Sequence, residues 1–175
     1  MNTDKQILQK ELDELNRQLL DCEKKLLLIE QKEKLINIIS KNILEANENF
    51  IIQQCSCSGR RAMGLSQQIS DKFGVNPYNR KINDKPGTYK LNKNIVCLFA
   101  QLNPGKPNND DTKNMRLIWF KESFEQFIKE NKGSIAIPYK IGCGYGGGDW
   151  NDYFKIIEEL SNKYKLKINI YKFNC

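Results

Sequence analysis

The sequence predicts an α/β domain preceded by a coiled-coil helix, and three observations support this assignment. Residues 4–33 contain no glycine or proline and place apolar side chains at alternating spacings of four and three. From Leu35 onward, short apolar runs alternate with amphipathic segments of helical spacing, which is typical of a mixed sheet flanked by helices. The 175 residues suffice for one domain plus an extension. We therefore predict a coiled-coil helix at 1–33 and an α/β domain at 34–175.

The N-terminal segment has the heptad pattern of a coiled coil. A lone helix with this pattern would leave a leucine stripe in water, so we predict a homo-oligomer formed through residues 4–33. A helix folded back on its own domain is the alternative, and the pattern does not decide between a dimer and a larger assembly. The heptad places Leu12, Leu19 and Leu26 at position a, and Leu8, Leu15, Cys22 and Ile29 at position d.

The elements of the domain follow in order, each predicted from local pattern and turn residues. Glycine ends the first amphipathic helix at Gly74, and the long loop at 102–112 is rich in proline, glycine and asparagine. The apolar run at 94–101 is typical of a central strand, and the shorter run before it is typical of an edge. The predicted strands are 35–40, 49–55, 87–91, 94–101, 134–138 and 167–173, and the predicted helices are 62–73, 116–131 and 151–163.

Composition excludes several classes of chemistry. The chain has no histidine, which excludes Ser-His-Asp and Cys-His catalysis and zinc sites with histidine ligands. Six cysteines occur without a CxxC pair, so we expect reduced structural thiols, no metal site and no cofactor. No apolar run could span a membrane and no signal peptide is recognisable, so we expect a cytoplasmic protein with no membrane partner.

The net charge of +7 is unevenly distributed, with −2 in residues 1–33 and +9 in the remainder. A basic domain suggests an anionic partner. Nucleic acid is not expected as the main partner, because that interpretation depends on charge alone and no RNA-binding motif accompanies it.

A glycine-rich loop at 141–150, IGCGYGGGDW, is the strongest local feature. Glycine lets backbone amides approach an anion closely, and a loop between a strand and a helix favours a phosphate site. A dinucleotide fold is excluded because one strand alone follows, and no Gly-Lys-Ser/Thr of a P-loop occurs. A tight turn that merely needs glycine is the alternative, but five glycines favour a diphosphate site.

A second glycine-bearing loop follows the strand at 49–55, and in a parallel sheet both loops lie at the carboxyl edge where ligands bind. Arg60 and Arg61 in this loop could pair with phosphate or remain a solvated surface pair. Asp149 begins the last helix, where it is either an N-cap or a carboxylate that polarises a water or a ribose hydroxyl beside the loop.

Residues from about Leu35 to the end resemble a macro domain, and specifically the branch of ADP-ribose-1''-phosphate phosphatases and related deacylating domains of viruses, phages and unicellular eukaryotes. The coiled coil lies outside the family's domain. The residues that carry the resemblance are INIISKNIL (36–44), NFIIQQCSCSGRRAMGLSQQISDKFG (49–74), KPGTYKL (85–91), NIVCLFAQ (94–101), TKNMRLIWFKESF (112–124) and SIAIPYKIGCGYGGGDWNDYFKIIEEL (134–160).

The resemblance implies a three-layer fold that binds ADP-ribose at the carboxyl ends of its central strands. Asn42, in place of an acidic residue, and Ile43 match the adenine-binding motif. Ser56 stands where many relatives have an asparagine that binds the distal ribose. The loop and helix start that bracket this ribose match Gly59, Gly64 and Leu65. The loop for the diphosphate and ribose matches Gly142, Cys143, Gly144, Tyr145, Gly146, Gly147 and Gly148.

The resemblance also implies two catalytic candidates. Gly146 lies where some deacylating relatives place a catalytic aspartate, so this role would pass to Asp149. Lys85 lies near a lysine that forms a covalent adduct in one branch. We therefore expect a hydrolase of ADP-ribose 1''-phosphate or of ADP-ribosyl esters on proteins. The alternative is a non-catalytic ADP-ribose reader whose N-terminal helix joins several weak sites, which the substitutions at Ser56 and Gly146 favour.

Overall fold

The computed structural model describes residues 2–59, 61–78 and 83–173. The chain divides into two compact units, Met1–Lys34 and Leu35–Cys175. Among the described residues, no helix combines the length and apolar character that crossing a membrane requires. The helices are α1 (Asn2–Glu33), α2 (Leu65–Phe73), α3 (Lys113–Glu130) and α4 (Trp150–Tyr164). The strands are β1 (Ile36–Ile39), β2 (Phe50–Ser56), β3 (Tyr89–Asn92), β4 (Ile95–Gln101), β5 (Ile135–Pro138) and β6 (Ile168–Tyr171).

The first unit is the single helix α1, whose described apolar side chains are exposed within the chain. The six described leucine and isoleucine side chains of the heptad seam are each at least half exposed, from Leu12 at 50% to Leu8 at 65%. Leu20, Leu27 and Leu28 outside the seam are exposed as well. The helix predicted at 4–33 is confirmed, and its association with a partner stays a prediction.

The second unit is a six-stranded sheet in the order β1-β6-β5-β2-β4-β3. All neighbouring strands are parallel except β3 and β4, which are antiparallel. This confirms the predicted mixed sheet, with β4 inside it and β3 at an edge.

Helices cover both faces of the sheet because the buried strands are apolar on both sides. On one face, α3 and α4 contribute Phe120, Phe124 and Ile157 to a core that includes Ile52 of β2. On the other face, Ile69 of α2 packs with Ile51 and Phe99. The sequence-based prediction of an α/β sandwich with an N-terminal helix is thus confirmed.

Three local features differ most from the sequence-based prediction, whereas the strand boundaries differ by two residues or fewer. A 3-10 turn at Ile43–Glu45 was not predicted. Helix α2 begins three residues later than expected, after Gly64, whose φ of +60° is not helical. Helix α3 begins three residues earlier, because the Thr112 side chain accepts a hydrogen bond from the Met115 amide at 3.3 Å and caps the first turn.

Candidate functional site

A cleft opens at the carboxyl ends of β2, β4 and β5. The connection after β2 runs toward β3 and β4, and the connection after β5 runs the other way toward β6. Such a divergence leaves a crevice between the two strands, where ligands of open α/β sheets bind. The cleft has a volume of about 850 Å³, which is within the usual range for small-molecule sites. Both glycine-bearing loops line it, as the sequence predicted from their positions after β2 and β5.

The charge of the described lining is positive. Arg61 and Lys140 are its charged members, and no Asp or Glu occurs among the lining residues that the structure describes. Lys140 has a left-handed backbone with φ of +59°, which is uncommon for a residue with a Cβ. An anionic ligand would therefore meet two cations and no carboxylate in this part of the cleft.

Three consecutive backbone amides of the glycine-rich loop are available to a ligand. The amides of Cys143, Gly147 and Gly148 donate to carbonyls within the loop at 3.0 to 3.1 Å. Within the described part of the chain, the amides of Gly144, Tyr145 and Gly146 donate no hydrogen bond, and all three residues line the cleft. Successive free amides in a turn form a concavity that binds anions.

Only one glycine of this loop has open space where a side chain would begin. A Cβ on Gly144 would meet nothing within 4 Å. A Cβ on Gly142 would lie 2.5 Å from the Tyr153 ring, and one on Gly146 would lie 2.5 Å from the Gly142 carbonyl oxygen. A Cβ on Gly148 would likewise lie 2.5 Å from the Tyr153 ring. The sequence analysis attributed the five glycines to phosphate binding. Close packing against Tyr153 explains two of them, Gly142 and Gly148, without a ligand.

A chain of amide side chains forms the polar floor of the cleft. Gln54 Nε2 donates to Gln101 Oε1 at 3.0 Å, and Gln101 Nε2 donates to the Asn103 carbonyl at 3.1 Å. Ser58 Oγ donates to Asn103 Oδ1 at 2.8 Å. The sequence analysis missed these residues, although polar side chains at the carboxyl ends of two buried strands were a usable signal.

The thiol of Cys143 lies in the cleft but is not activated. Burial, followed by the nearby Asp149 charge, raises the pKa of this thiol to about 11. Its Sγ donates to the Ile141 carbonyl at 3.3 Å. A thiol in this state is a weak nucleophile at neutral pH. Among the described residues, no group of three or more Cys, Asp or Glu side chains is placed to hold a metal ion.

A comparison with solved structures finds sixty chains whose fold matches the fold of this chain. The macrodomain of Mycobacterium tuberculosis DarG superposes with a TM-score of 0.62 at 17% identity, covering 79% of this chain and 98% of that one. The Trypanosoma brucei macrodomain in complex with ADP-ribose superposes with a TM-score of 0.57 at 12% identity, covering 79% of this chain and 63% of that one. This chain has the macrodomain fold. No family model matches the sequence, and no curated protein matches it.

The macrodomain cleft contains most of the ligand-binding residues that the sequence predicted. Their lining positions agree with the resemblance, whereas their contacts with a ligand stay predictions. The predicted residues that line the cleft are Ser56, Gly64, Leu65, Gly142, Cys143, Gly144, Tyr145 and Gly146.

Five predicted ligand residues are not among the lining residues of this cleft. Asn42 caps the 3-10 turn, with its Oδ1 accepting from the Leu44 amide at 3.0 Å, and Ile43 is buried in the core. Gly59 packs under Tyr78, and Gly147 lies against Pro107. Gly148 lines a separate cavity of about 10 Å³. The described cleft is therefore lined by eight of the eleven residues predicted for the diphosphate and distal ribose and by neither predicted adenine-binding residue.

Neither catalytic candidate lines the cleft. Asp149 caps α4, its Oδ1 accepts from the Asn151 amide at 2.8 Å, and the residue lines the small cavity with Gly148. Lys85 is exposed, and its carbonyl accepts a hydrogen bond from Thr88 Oγ1 at 2.7 Å. Arg60, suggested as a phosphate ligand, and Cys175 lie outside the described residues. The catalytic roles of Asp149 and Lys85 stay predictions.

Proposed function

We propose that this protein binds ADP-ribose, or a molecule carrying an ADP-ribosyl group, in the cleft between the ends of β2 and β5. The observation that carries the proposal is the described lining, which combines three free amides at 144–146 with the cations Arg61 and Lys140 and no carboxylate. A diphosphate has the negative charge and the acceptor oxygens that such a surface favours. The complex of ADP-ribose with the Trypanosoma brucei macrodomain supports this choice of ligand.

The ribose would lie over the polar floor. Ribose hydroxyls both donate and accept hydrogen bonds, and the floor offers amide and hydroxyl groups of Gln54, Gln101 and Ser58.

Binding without turnover is the function that the geometry favours, because the described lining holds no carboxylate and no activated thiol. Hydrolysis of ADP-ribose 1''-phosphate or of an ADP-ribosyl ester is the second candidate. The three free amides favour it, since they could stabilise the charge that develops on a phosphoryl or acyl oxygen. Asp149 caps α4 through Oδ1 and lines the small cavity, so its second oxygen would have to turn toward the cleft to orient the attacking water.

Calorimetric titration of ADP-ribose into the full chain tests the binding proposal. We expect saturable binding that weakens with added salt, and an affinity loss of roughly 3- to 10-fold in Arg61→Gln or Lys140→Gln. Lys121→Gln is the matched control, because Lys121 pairs with Glu159 on the surface and lies outside the cleft lining. No heat of binding at about 1 mM ligand, equivalent to roughly 4 kcal/mol, would overturn the proposal.

Turnover distinguishes the two candidates. The chain and its Asp149→Ala variant are incubated with ADP-ribose 1''-phosphate and with a mono-ADP-ribosylated protein, and released phosphate and ADP-ribose are measured. Binding with no release of either product indicates a reader. Release that is lost in Asp149→Ala, with ADP-ribose binding retained, indicates a hydrolase.

We also propose that α1 joins copies of this chain into an oligomer, so that several sites act on one multivalent target. The exposed heptad leucines support this step. Light scattering after gel filtration should give a multiple of the 20.4 kDa monomer mass. Leu19→Asp should reduce that mass, whereas Lys24→Asp, which puts the same charge on the outer face of the heptad, should not. A monomeric wild-type chain would rule out the oligomer.

A further inference from the structure

A buried arginine contacts the cleft wall from below, and the binding proposal above does not use it. Arg116 on α3 is only 1% exposed. It precedes Phe120 by one helical turn and so occupies the apolar face of the helix. Burying a guanidinium is costly unless its charge is paired and each of its donors is used. The partners of Arg116 therefore indicate what its burial achieves.

Asp111 balances the charge of Arg116. Arg116 Nε donates to Asp111 Oδ1 at 2.7 Å and Nη2 donates to Oδ2 at 2.6 Å, in a bidentate pair. Asp111 is itself fully buried, and its Oδ2 also accepts from the amides of Leu102 and Asn103 at 3.0 and 3.1 Å. The carboxylate thus fixes the start of the 102–112 loop while it holds the guanidinium.

The remaining donors of Arg116 reach two segments of the cleft wall. Nη1 donates to the Gly105 carbonyl at 2.7 Å and to the Gly146 carbonyl at 2.8 Å. Gly105 and Gly146 both line the cleft. Neither has a side chain that could anchor it, and a Cβ on Gly105 would have nothing within 4 Å. A single side chain therefore hydrogen-bonds the backbone of both loops, and at Gly105 no packing contact would take its place.

We propose that Arg116, oriented by Asp111, is a positioning residue that preorganises the ligand-binding amides at 144–146. This inference rests on the proposed function of the cleft. The guanidinium holds Gly146 and the 103–105 turn at a fixed separation, so the amides are ordered before a ligand arrives and binding costs less conformational entropy. Lysine cannot replace it, because an ammonium lacks the planar fork that bonds a carboxylate and two carbonyls at once.

The test uses Arg116→Lys and the neutral double variant Asp111→Asn/Arg116→Gln in the full chain. Affinity for ADP-ribose is measured by calorimetry, stability by thermal unfolding, and exchange of the amides of 142–148 by mass spectrometry without ligand. We expect both variants to bind ADP-ribose about 10- to 100-fold more weakly, and we expect the hydrogen-bonded amides of Cys143, Gly147 and Gly148 to exchange about 10-fold faster. The milder Arg116→Lys change keeps the test open if the double variant does not fold.

A destabilised control separates positioning from a merely structural role. Ile157→Val alters a fully buried residue of α4 outside the cleft lining. It should lower the unfolding temperature while affinity and exchange at 142–148 stay within about twofold of wild type. Arginine variants that keep wild-type affinity and exchange, or an Ile157→Val variant that loses both equally, would overturn the inference. If wild-type chain binds no ADP-ribose, the proposed function fails, and the exchange measurement alone still decides the role of Arg116.

Discussion

Gly144 and Gly142 belong to the same loop, but close packing requires glycine only at position 142. A side chain on Gly142 would collide with Tyr153 and Gln54, and its φ of +74° disfavours any other residue. A side chain on Gly144 would project into open space beside three free amides. The comparison teaches that a glycine-rich loop combines glycines that close packing requires with a glycine that packing leaves open, and that their spacing alone does not separate the two groups.

The largest expected effect is on stability at the packed position. Gly142→Ala should reduce the free energy of unfolding by about 3 kcal/mol, because strain at positive φ adds to overpacking against Tyr153. Gly144→Ala should change it by less than about 0.5 kcal/mol. Urea denaturation of the two variants measures both changes in the free energy of unfolding. Equal midpoints would show that the two glycines do not differ in the way described.

A bulky acidic residue at the open position should remove binding without affecting the fold. Gly144→Glu places a carboxylate where the diphosphate is expected, and we predict an affinity loss of at least about 100-fold for ADP-ribose. The unfolding midpoint should stay at the wild-type value. Calorimetry and urea denaturation of the same preparation measure both effects. If the variant kept its affinity for ADP-ribose, the free amides at 144–146 would not be the binding site of the diphosphate.

Tyr145 follows Gly144 in the open part of the loop, and its replacement should have a smaller effect on ADP-ribose affinity. Its side chain is 74% exposed, lines the cleft and lies 3.4 Å from where a Gly64 Cβ would be. We expect Tyr145→Ala to weaken ADP-ribose binding by roughly fivefold through lost contact area, with unchanged stability. Phe173→Ala is the matched control, because Phe173 is an exposed aromatic outside the cleft lining. Equal losses of affinity in the two variants would show that Tyr145 makes no specific contact with ADP-ribose.

The smallest predicted effect concerns the surface ion pair of Glu125 with Lys163, in contrast to the buried pair of Asp111 with Arg116. Hydrogen bonds from Lys163 and Tyr164 lower the pKa of Glu125 to about 2. A carboxyl with a lowered pKa in the folded state adds stability above its ordinary pKa, and that stability is lost as pH falls through the folded value. Glu125→Gln should thus cost below about 1 kcal/mol at pH 7.

The pH dependence of that difference is the specific check. Stability differences between wild type and Glu125→Gln, measured by thermal unfolding, should shrink between about pH 5 and pH 2. A difference that stays constant across this range would show that the charge of Glu125 does not cause it.

The sequence predicted the succession of strands and helices along the chain, because its apolar periodicity and turn residues agree with the fold. Eight of the predicted ligand residues line the cleft for the same reason, since loops after parallel strands meet at one edge. Arg116 could not be assigned a role from sequence, because the carbonyls of Gly105 and Gly146 are distant along the chain. The packing of Gly142 on Tyr153 was equally hidden, since it depends on where α4 lies.

An amide NMR titration of the full chain with ADP-ribose tests the central claim most directly. Resonances of Gly144, Tyr145 and Gly146 should shift by the largest amounts and saturate together, with those of Gln54 and Gln101 following. Unchanged amides at 144–146 in about 1 mM ligand, a concentration that detects interactions of roughly 4 kcal/mol, would contradict the account.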